Sequence, residues 1–292
     1  MGYFLAVANR KGGVGKSTTS IMLAHACAVW GNKRVLVLDL DAQSNSSLIL
    51  QGGTGWIEAQ KQSKNVAAYI EDKMYAIDQV KIQQYLTHFV GDVKLPDGRR
   101  PAISLLPGSL RFEDMQDELI SFYSKGSVPF RQAKLRCASH FRQALQFAGP
   151  LADVIILDCA PGLSNATAAA LALADKVVVP FRPDAVSEFA VDRIAQIIEG
   201  RDYDTVVAMD KAKRRYTCLA NYVRPGGRDQ TYIDTIAFNH PILATRIPLL
   251  PDVANAFDWT EERLTIEEKY AGALEPLKSL YAELEPLLVK RG

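Results

Sequence analysis

The chain has 292 residues, 48% of them apolar and 23% charged, which excludes a disordered chain and allows a sizeable buried core. Lysine plus arginine (34) nearly balances aspartate plus glutamate (33), so a uniformly basic nucleic-acid coat is excluded while a local basic face stays open. The start of the chain lacks the basic flank and long apolar core of a secretory leader, and no apolar run is long enough to span a bilayer. Cys27, Cys137, Cys159 and Cys218 have no metal-site spacing, so buried reduced thiols in a soluble cytoplasmic protein are expected.

Apolar runs of strand length alternate with helical patterns along the chain. Tyr3 to Ala8 is the first predicted strand, followed by a Gly-rich loop and a helix from Lys16 to Trp30 that Gly31 closes. Arg34 to Leu38 is the second strand. From Gln51 to Arg100 the rhythm breaks: the stretch is polar, with glycines at 52, 53 and 55 and a Pro-Asp-Gly turn at 96–98. This reads as an irregular or helical excursion on a single domain covering 1–292. Ala102 to Leu106 and Asp153 to Leu157 are further strands, with a loop at Gly126 to Pro129 between them. Ser164 caps a helix through Ala174. Val177 to Val179, Thr217 to Ala220 and Ile242 to Thr245 are the last strands, and a helix from Ala185 to Glu199 ends at Gly200. The C-terminal region, 261–292, reads as helical, chiefly Ile266 to Lys290, interrupted at Pro276 and Pro286. Continuous β-branched runs indicate strands covered on both faces. The expectation is an α/β fold, doubly wound, with a mostly parallel sheet and helices on both faces.

After the first strand stands Arg10-Lys11-Gly12-Gly13-Val14-Gly15-Lys16-Ser17-Thr18, then a helix. Strand, Gly-rich loop and helix in that order make a P-loop, the signature of a P-loop NTPase. Backbone N–H groups of Gly12, Gly13, Val14 and Gly15 turn around phosphate oxygens, and the helix N-terminus adds its positive dipole end. Lys16 reaches the β- and γ-phosphates of ATP, Ser17 binds Mg²⁺, and Thr18 completes the binding turn. The second strand ends in Asp39-Leu40-Asp41, whose alternation puts both carboxylates on one face at the ligand-binding end of the sheet. Val154-Ile155-Ile156-Leu157-Asp158 is a Walker B strand, and its carboxylate holds Mg²⁺ through water.

The ordinary P-loop pattern has glycine where Arg10 stands; what fits is K-G-G-x-G-K-[ST]-T. This resembles the deviant Walker A motif of the ParA/MinD group of ATPases. Asp39-Leu40-Asp41-Ala42-Gln43-Ser44-Asn45 is similar to that group's D-x-D-P-Q-x-N signature, with Ala42 in place of proline. Asp158-Cys159-Ala160-Pro161 is similar to its D-x-P-P, and Leu105 to Leu110, Val178 to Asp184 and Thr245 to Pro248 resemble further segments, so the likeness covers nearly the whole chain. The resemblance implies that Lys11 reaches nucleotide phosphates across a homodimer interface. It implies that Asp41 positions the attacking water, that Asp39 helps the magnesium shell, and that Asn221 and Pro248 flank the adenine. ATP and ADP with Mg²⁺ are the implied ligands. Lys11, Lys16 and Asp41 are the implied catalytic residues of a hydrolase that a partner stimulates.

Within the group, an electron-transferring iron protein needs a loop cysteine pair that is missing here. The C-terminal tail carries two acids and a mid-segment proline, poor for an anionic membrane surface. The resemblance therefore implies an ATP-dependent dimer that binds DNA non-specifically and partitions or positions a plasmid, chromosome region or large cargo with a ParB-like adaptor, nucleoid-associated when ATP-bound. The alternatives are a MinD-type membrane-associated ATPase and a metabolic P-loop enzyme. For the DNA face, the densest basic run is Lys211-Ala212-Lys213-Arg214-Arg215, and Arg224, Arg228, Arg246 and Arg263 are further candidates.

Overall fold

The computed structural model describes residues 1–75, 79–126 and 128–288. Residues 76–78 of the excursion, Ser127 of the 126–129 loop and the last four residues of the C-terminal region lie outside the described residues.

The described residues build one eight-stranded sheet: β1 (Tyr3–Val7), β2 (Val35–Leu40), β3 (Thr87–His88), β4 (Ile103–Leu106), β5 (Val154–Cys159), β6 (Lys176–Phe181), β7 (Tyr216–Val223) and β8 (Ile242–Pro248). The order across the sheet is β3-β4-β2-β5-β1-β6-β7-β8. Every pairing is parallel except β3 with β4. The doubly wound parallel sheet expected from the sequence is thus present. β3 was not foreseen: two residues are too few to show a two-residue period.

Alternation within the strands sends side chains to opposite faces, and helices cover both. In chain order they are α1 (Lys16–Val29), α2 (Asn45–Lys61), α3 (Val66–Tyr75), α4 (Phe112–Tyr123), α5 (Phe130–Gln146) and α6 (Asn165–Leu173). Then come α7 (Ser187–Glu199), α8 (Tyr203–Ala208), α9 (Gly227–Asn239), α10 (Pro251–Asn255), α11 (Ile266–Tyr270) and α12 (Leu274–Leu284). Phe4 and Ala6 face a core shared with α3 to α9, while Leu5 and Val7 face one shared with α1 and α10 to α12. Both faces of the central strands are dry, which is why β1 and the runs Val35–Leu38 of β2 and Val154–Leu157 of β5 read as uninterrupted apolar stretches.

The start of the excursion is helical but not continuous: at Gly52 (φ 67°, ψ 172°) the backbone leaves helical geometry, so α2 is two helical segments that meet at a kink. In the C-terminal region the break falls at Ala271 (φ 39°) rather than at Pro276, because Pro276 sits in the first turn of α12, where its missing N–H is not needed. Pro286 does mark the end of α12, in a following 3₁₀ turn. All four cysteines are buried and free, and burial raises the Cys27 and Cys137 thiols to about 12, so none is a ready nucleophile.

Candidate nucleotide site

β1 feeds a loop that turns back into α1. Gly15, the residue before α1, has φ 83°, and a Cβ there would lie 2.1 Å from Asn221 Nδ2, so glycine is needed for both shape and space. The turn opens a cavity of about 520 Å³ walled by Gly12, Gly13, Gly15, Lys16, Ser17 and Thr18. Asp41 and Gln43 from the β2–α2 connection and Asn45 at the start of α2 close another side, Pro161 comes from the loop after β5, and Tyr222 from the end of β7. The cavity sits at the carboxyl ends of the strands, where helix N-termini converge.

Lys16 is nearly buried and its ammonium donates to the Lys11 carbonyl at 3.1 Å. Burial lowers its pKa below the ordinary lysine value, against the opposing pull of Asp158 and Asp41. Asp41 lines the cavity and is steadied by Gln43 N–H, which donates to Oδ1 at 3.0 Å. Asp158 is fully buried below the loop, where Ser20 and Ser46 hydroxyls donate to it at 3.0 and 2.6 Å and Ser17 bonds it as well. Burial raises the Asp158 carboxyl above the usual range despite those three hydroxyls.

Asp39 lies beside Asp158 in register. Its Oδ2 accepts Ser47 N–H at 2.8 Å and Ser47 Oγ at 2.6 Å, and Oδ1 accepts Asp41 N–H at 3.3 Å. Gly108 N–H donates in turn to Ser47 Oγ at 2.8 Å. Asp39 thus ties β2, the first turn of α2 and the 107–108 loop together, and like Asp158 it lies behind the cavity wall. Its carboxyl is pushed well above the usual range by burial and by Asp158.

The expected role of Asn221 is corrected. It is fully buried, its Nδ2 donates to the Val14 carbonyl at 3.0 Å, and its Oδ1 accepts Tyr222 N–H at 3.0 Å. It props the loop from behind and does not line the cavity, so it is not placed to touch an adenine. Pro248, at the end of β8, is not part of the cavity wall; Ala254 and Phe257, around α10, supply the apolar side instead. Lys11 does not line its own cavity either: its ammonium forms an ion pair with Asp184, whose Oδ1 is held by Ser187 Oγ at 2.8 Å. Partial burial would raise the Asp184 carboxyl, but the bonds from Lys11 and Ser187 outweigh it and its pKa falls below the usual value.

Within the basic run at 211–215 the two arginines face inward. Arg214 is 2% exposed, and its guanidinium donates to the carbonyls of Val207, Met209 and Asn239 and to Tyr216 Oη. Arg215 donates to Ile198, Leu171 and Ala174 carbonyls at 2.9, 2.7 and 2.8 Å. Lys211 donates to the carbonyls of Ala237 and Phe238 at 2.6 and 2.9 Å. Arg214 and Arg215 therefore cannot serve a DNA face, because their donors already satisfy helix ends; Lys211 caps α9, and Lys213 is left exposed. Arg224, ion-paired to Asp229 at 2.7 Å, is exposed in the loop after β7, Arg228 is exposed in the first turn of α9, and Arg246 is exposed on edge strand β8. Arg263 lies apart, on the wall of a second cavity.

Three participants were not anticipated: Asp184, and the serines Ser46 and Ser47. Serines in the first turn of a helix directly after Asp41 were a usable signal; nothing in the local sequence tied Asp184 to Lys11, 173 positions away.

A parallel sheet with a Gly-rich loop between β1 and α1, and aspartates at the ends of neighbouring strands β2 and β5, defines a P-loop nucleotide-binding fold. A family model described as an AAA domain matches residues 2–205. The chain is 29% identical over 198 residues to the sporulation initiation inhibitor protein Soj of Bacillus subtilis, covering 68% of this chain and 64% of Soj. It is 30% identical over 194 residues to the chromosome partitioning protein ParA of Caulobacter vibrioides, covering 66% and 60%. The match thus spans less than two thirds of either relative. The fold is shared with a plasmid partition protein of Borrelia burgdorferi bound to AMPPNP (TM-score 0.67, 15% identity, 97% and 99% covered). It is shared as well with cobyrinic acid a,c-diamide synthase of Mycobacterium smegmatis bound to ADP and magnesium (TM-score 0.64, 21% identity, 98% and 96% covered). The chain belongs to the ParA-type family of partition ATPases. Among the described residues no helix is long and apolar enough to cross a membrane.

Proposed function

We propose that this chain is an ATPase that dimerises on ATP, binds DNA without sequence preference, and moves or spaces a plasmid, chromosome region or large cargo with a ParB-like adaptor that stimulates hydrolysis. The observation that carries this reading is the direction of Lys11. A lysine inside the phosphate loop that leaves its own cavity for Asp184 is available to a nucleotide held by a facing copy. That supplies in trans the second cation that phosphoryl transfer uses.

ATP enters with its phosphates against the 12–18 loop. Lys16, already desolvated, exchanges the Lys11 carbonyl for phosphate oxygen. The buried Asp158, gathered by serine hydroxyls beside a second carboxylate, is a concentration of negative charge that suits a divalent cation, so Ser17 and Asp158 would hold Mg²⁺, Asp158 through water. A Mg²⁺ held there would supply positive charge against the charge that develops on the phosphates. Asp41 orients a water for in-line attack on the γ-phosphorus, leaving ADP and phosphate. Pro161 and Gly162, on the loop after β5, then report loss of the γ-phosphate to the dimer face.

Arg224, Arg228 and Arg246 lie toward the carboxyl ends of β7 and β8, so dimerisation would double a basic face there and raise DNA affinity steeply. DNA co-sedimentation with ADP, ATP and a slowly hydrolysed analogue tests the cycle. Binding is expected with ATP and the analogue only. Arg228→Glu with Arg246→Glu should weaken it equally across sequences, lowering the salt slope by about one for each DNA phosphate that is no longer neutralised. Nucleotide-dependent pelleting of anionic vesicles, with none of DNA, would replace this reading by membrane positioning.

A further inference from the structure

The bend of α2 at Gly52 opens a second cavity, of about 250 Å³, that the nucleotide chemistry does not use. Its walls come from Leu50 and Gln51, from the 87–92 segment around β3, and from 259–263. It backs onto the nucleotide cavity: Leu48 and Ile49 line one and Gln51 the other, and Phe257 lines one and Trp259 the other.

The polar atoms here are unusual. Gln51 is 8% exposed, and neither its amide nitrogen nor its amide oxygen has a partner. Asp92 is 1% exposed; Oδ2 accepts Lys269 Nζ at 2.7 Å and Thr260 N–H at 3.1 Å, while Oδ1 accepts nothing. The one other unpartnered buried side-chain atom among the described residues is His25 Nε2, next to Gly91 of the same wall, 3.5 Å from where a Cβ there would stand. Elsewhere the described residues pair their buried polar side-chain atoms, so a cluster around one cavity calls for an occupant.

The donors and acceptors say what kind. A free carboxamide offers one donor and one acceptor in a plane, which a heterocyclic ring edge carrying both can match. Asp92 Oδ1 needs an N–H or O–H. The Trp259 indole lies against Gly52, where a Cβ would come within 2.8 Å of its ring, and supplies an aromatic wall for stacking. Arg100, exposed, and Arg263, half-buried, add positive charge to the lining, partly offset by the exposed Glu261. The volume falls below the roughly 300–1,000 Å³ of pockets that enclose drug-sized ligands, so it suits a base and sugar with the anionic group outside. We propose that this cavity is a second nucleotide site, for a nucleoside monophosphate, with the base on Trp259 and Gln51, a base or ribose donor on Asp92 Oδ1, and the phosphate on Arg100 and Arg263.

The test titrates AMP, GMP, CMP and UMP by calorimetry into full-length protein already saturated with ADP and Mg²⁺, so that the phosphate-loop cavity is filled. At least one monophosphate should bind saturably, one per chain. Gln51→Leu should weaken it about tenfold and Arg263→Ala severalfold, with ADP affinity unchanged in both. Urea unfolding checks the fold: removing an unpartnered buried amide should leave Gln51→Leu as stable as the parent or more so. Failure of all four monophosphates to bind, or binding that both variants leave intact, overturns the site. A large loss of stability in Gln51→Leu also overturns it, since the amide would then be held by ordered water as part of the fold.

Discussion

The chain has two dense clusters of cations, Arg10-Lys11 with Lys16 after β1 and Lys211 to Arg215 before β7, and they have opposite fates. Lys16 of the first lines a cavity built for anions; Arg214 and Arg215 of the second are turned into the protein. The difference lies in which end of the sheet each occupies. In a parallel sheet with crossover helices, the carboxyl ends of strands face helix N-termini, with unpaired N–H groups and positive dipole ends. The amino ends face helix C-termini, with unpaired carbonyls and negative dipole ends. Lys16 stands at the first kind of end. Arg214, Arg215 and Lys211 stand at the second, and their carbonyl partners terminate α6, α7, α8 and α9. A cation at one end awaits a ligand, and a cation at the other caps a helix.

The strongest way to break this contrast is a pair of truncations. Arg214→Ala should cost about 3–5 kcal/mol in urea unfolding, because it leaves several buried carbonyls without a charged donor, while ATP affinity of the folded protein stays near normal. Lys16→Ala should do the reverse: stability unchanged or slightly raised, since a desolvated lysine is removed, and ATP affinity down roughly a hundredfold, about 2.7 kcal/mol, by calorimetry. A stable Arg214→Ala protein with lost DNA binding would return the 211–215 run to a surface role.

A smaller effect sharpens the account of the first cluster. The Lys11–Asp184 pair is about one-third exposed, with side-chain exposures of 31% and 33%, so solvent limits it to about 1 kcal/mol. If Asp184 competes with the facing nucleotide for Lys11, Asp184→Asn should tighten ATP-dependent dimerisation about fivefold in sedimentation velocity. Weaker dimerisation would show instead that Asp184 aims Lys11 at its partner.

The smallest effect concerns the carboxylates at the phosphate end. Burial, then Asp158, raises the Asp39 carboxyl above its value in the unfolded chain, so the folded state holds the proton more tightly. The stability this contributes is complete below the unfolded pKa and is lost as pH rises through the folded one. Nucleotide-free protein should therefore lose melting temperature from about pH 5 up through neutrality, and Asp39→Asn should flatten that decline. An identical slope in the variant would remove Asp39 from the account.

The sequence alone was enough for what is local and repetitive. Seven strands, the helix opening at Lys16, the Ser164 cap and the Gly-rich loop were legible, because apolar runs, capping hydroxyls and glycine spacing act within a few residues. Asp41 and Lys16 could be placed at a common cavity for the same reason: both follow directly on the carboxyl end of a predicted strand or loop. What only the tertiary structure decided is where long side chains end. Asp39 reads like Asp41 but is taken by Ser47, Asn221 reads like a base contact but props Val14, and Lys11 finds Asp184. The direction of Arg214 and Arg215 was decided the same way, by helix C-termini that lie far along the chain from one another. Chain order carries the sign and spacing of charges; which of them meets an orphan carbonyl, an orphan N–H or open solvent depends on which ends of the helices the folded sheet brings beside them.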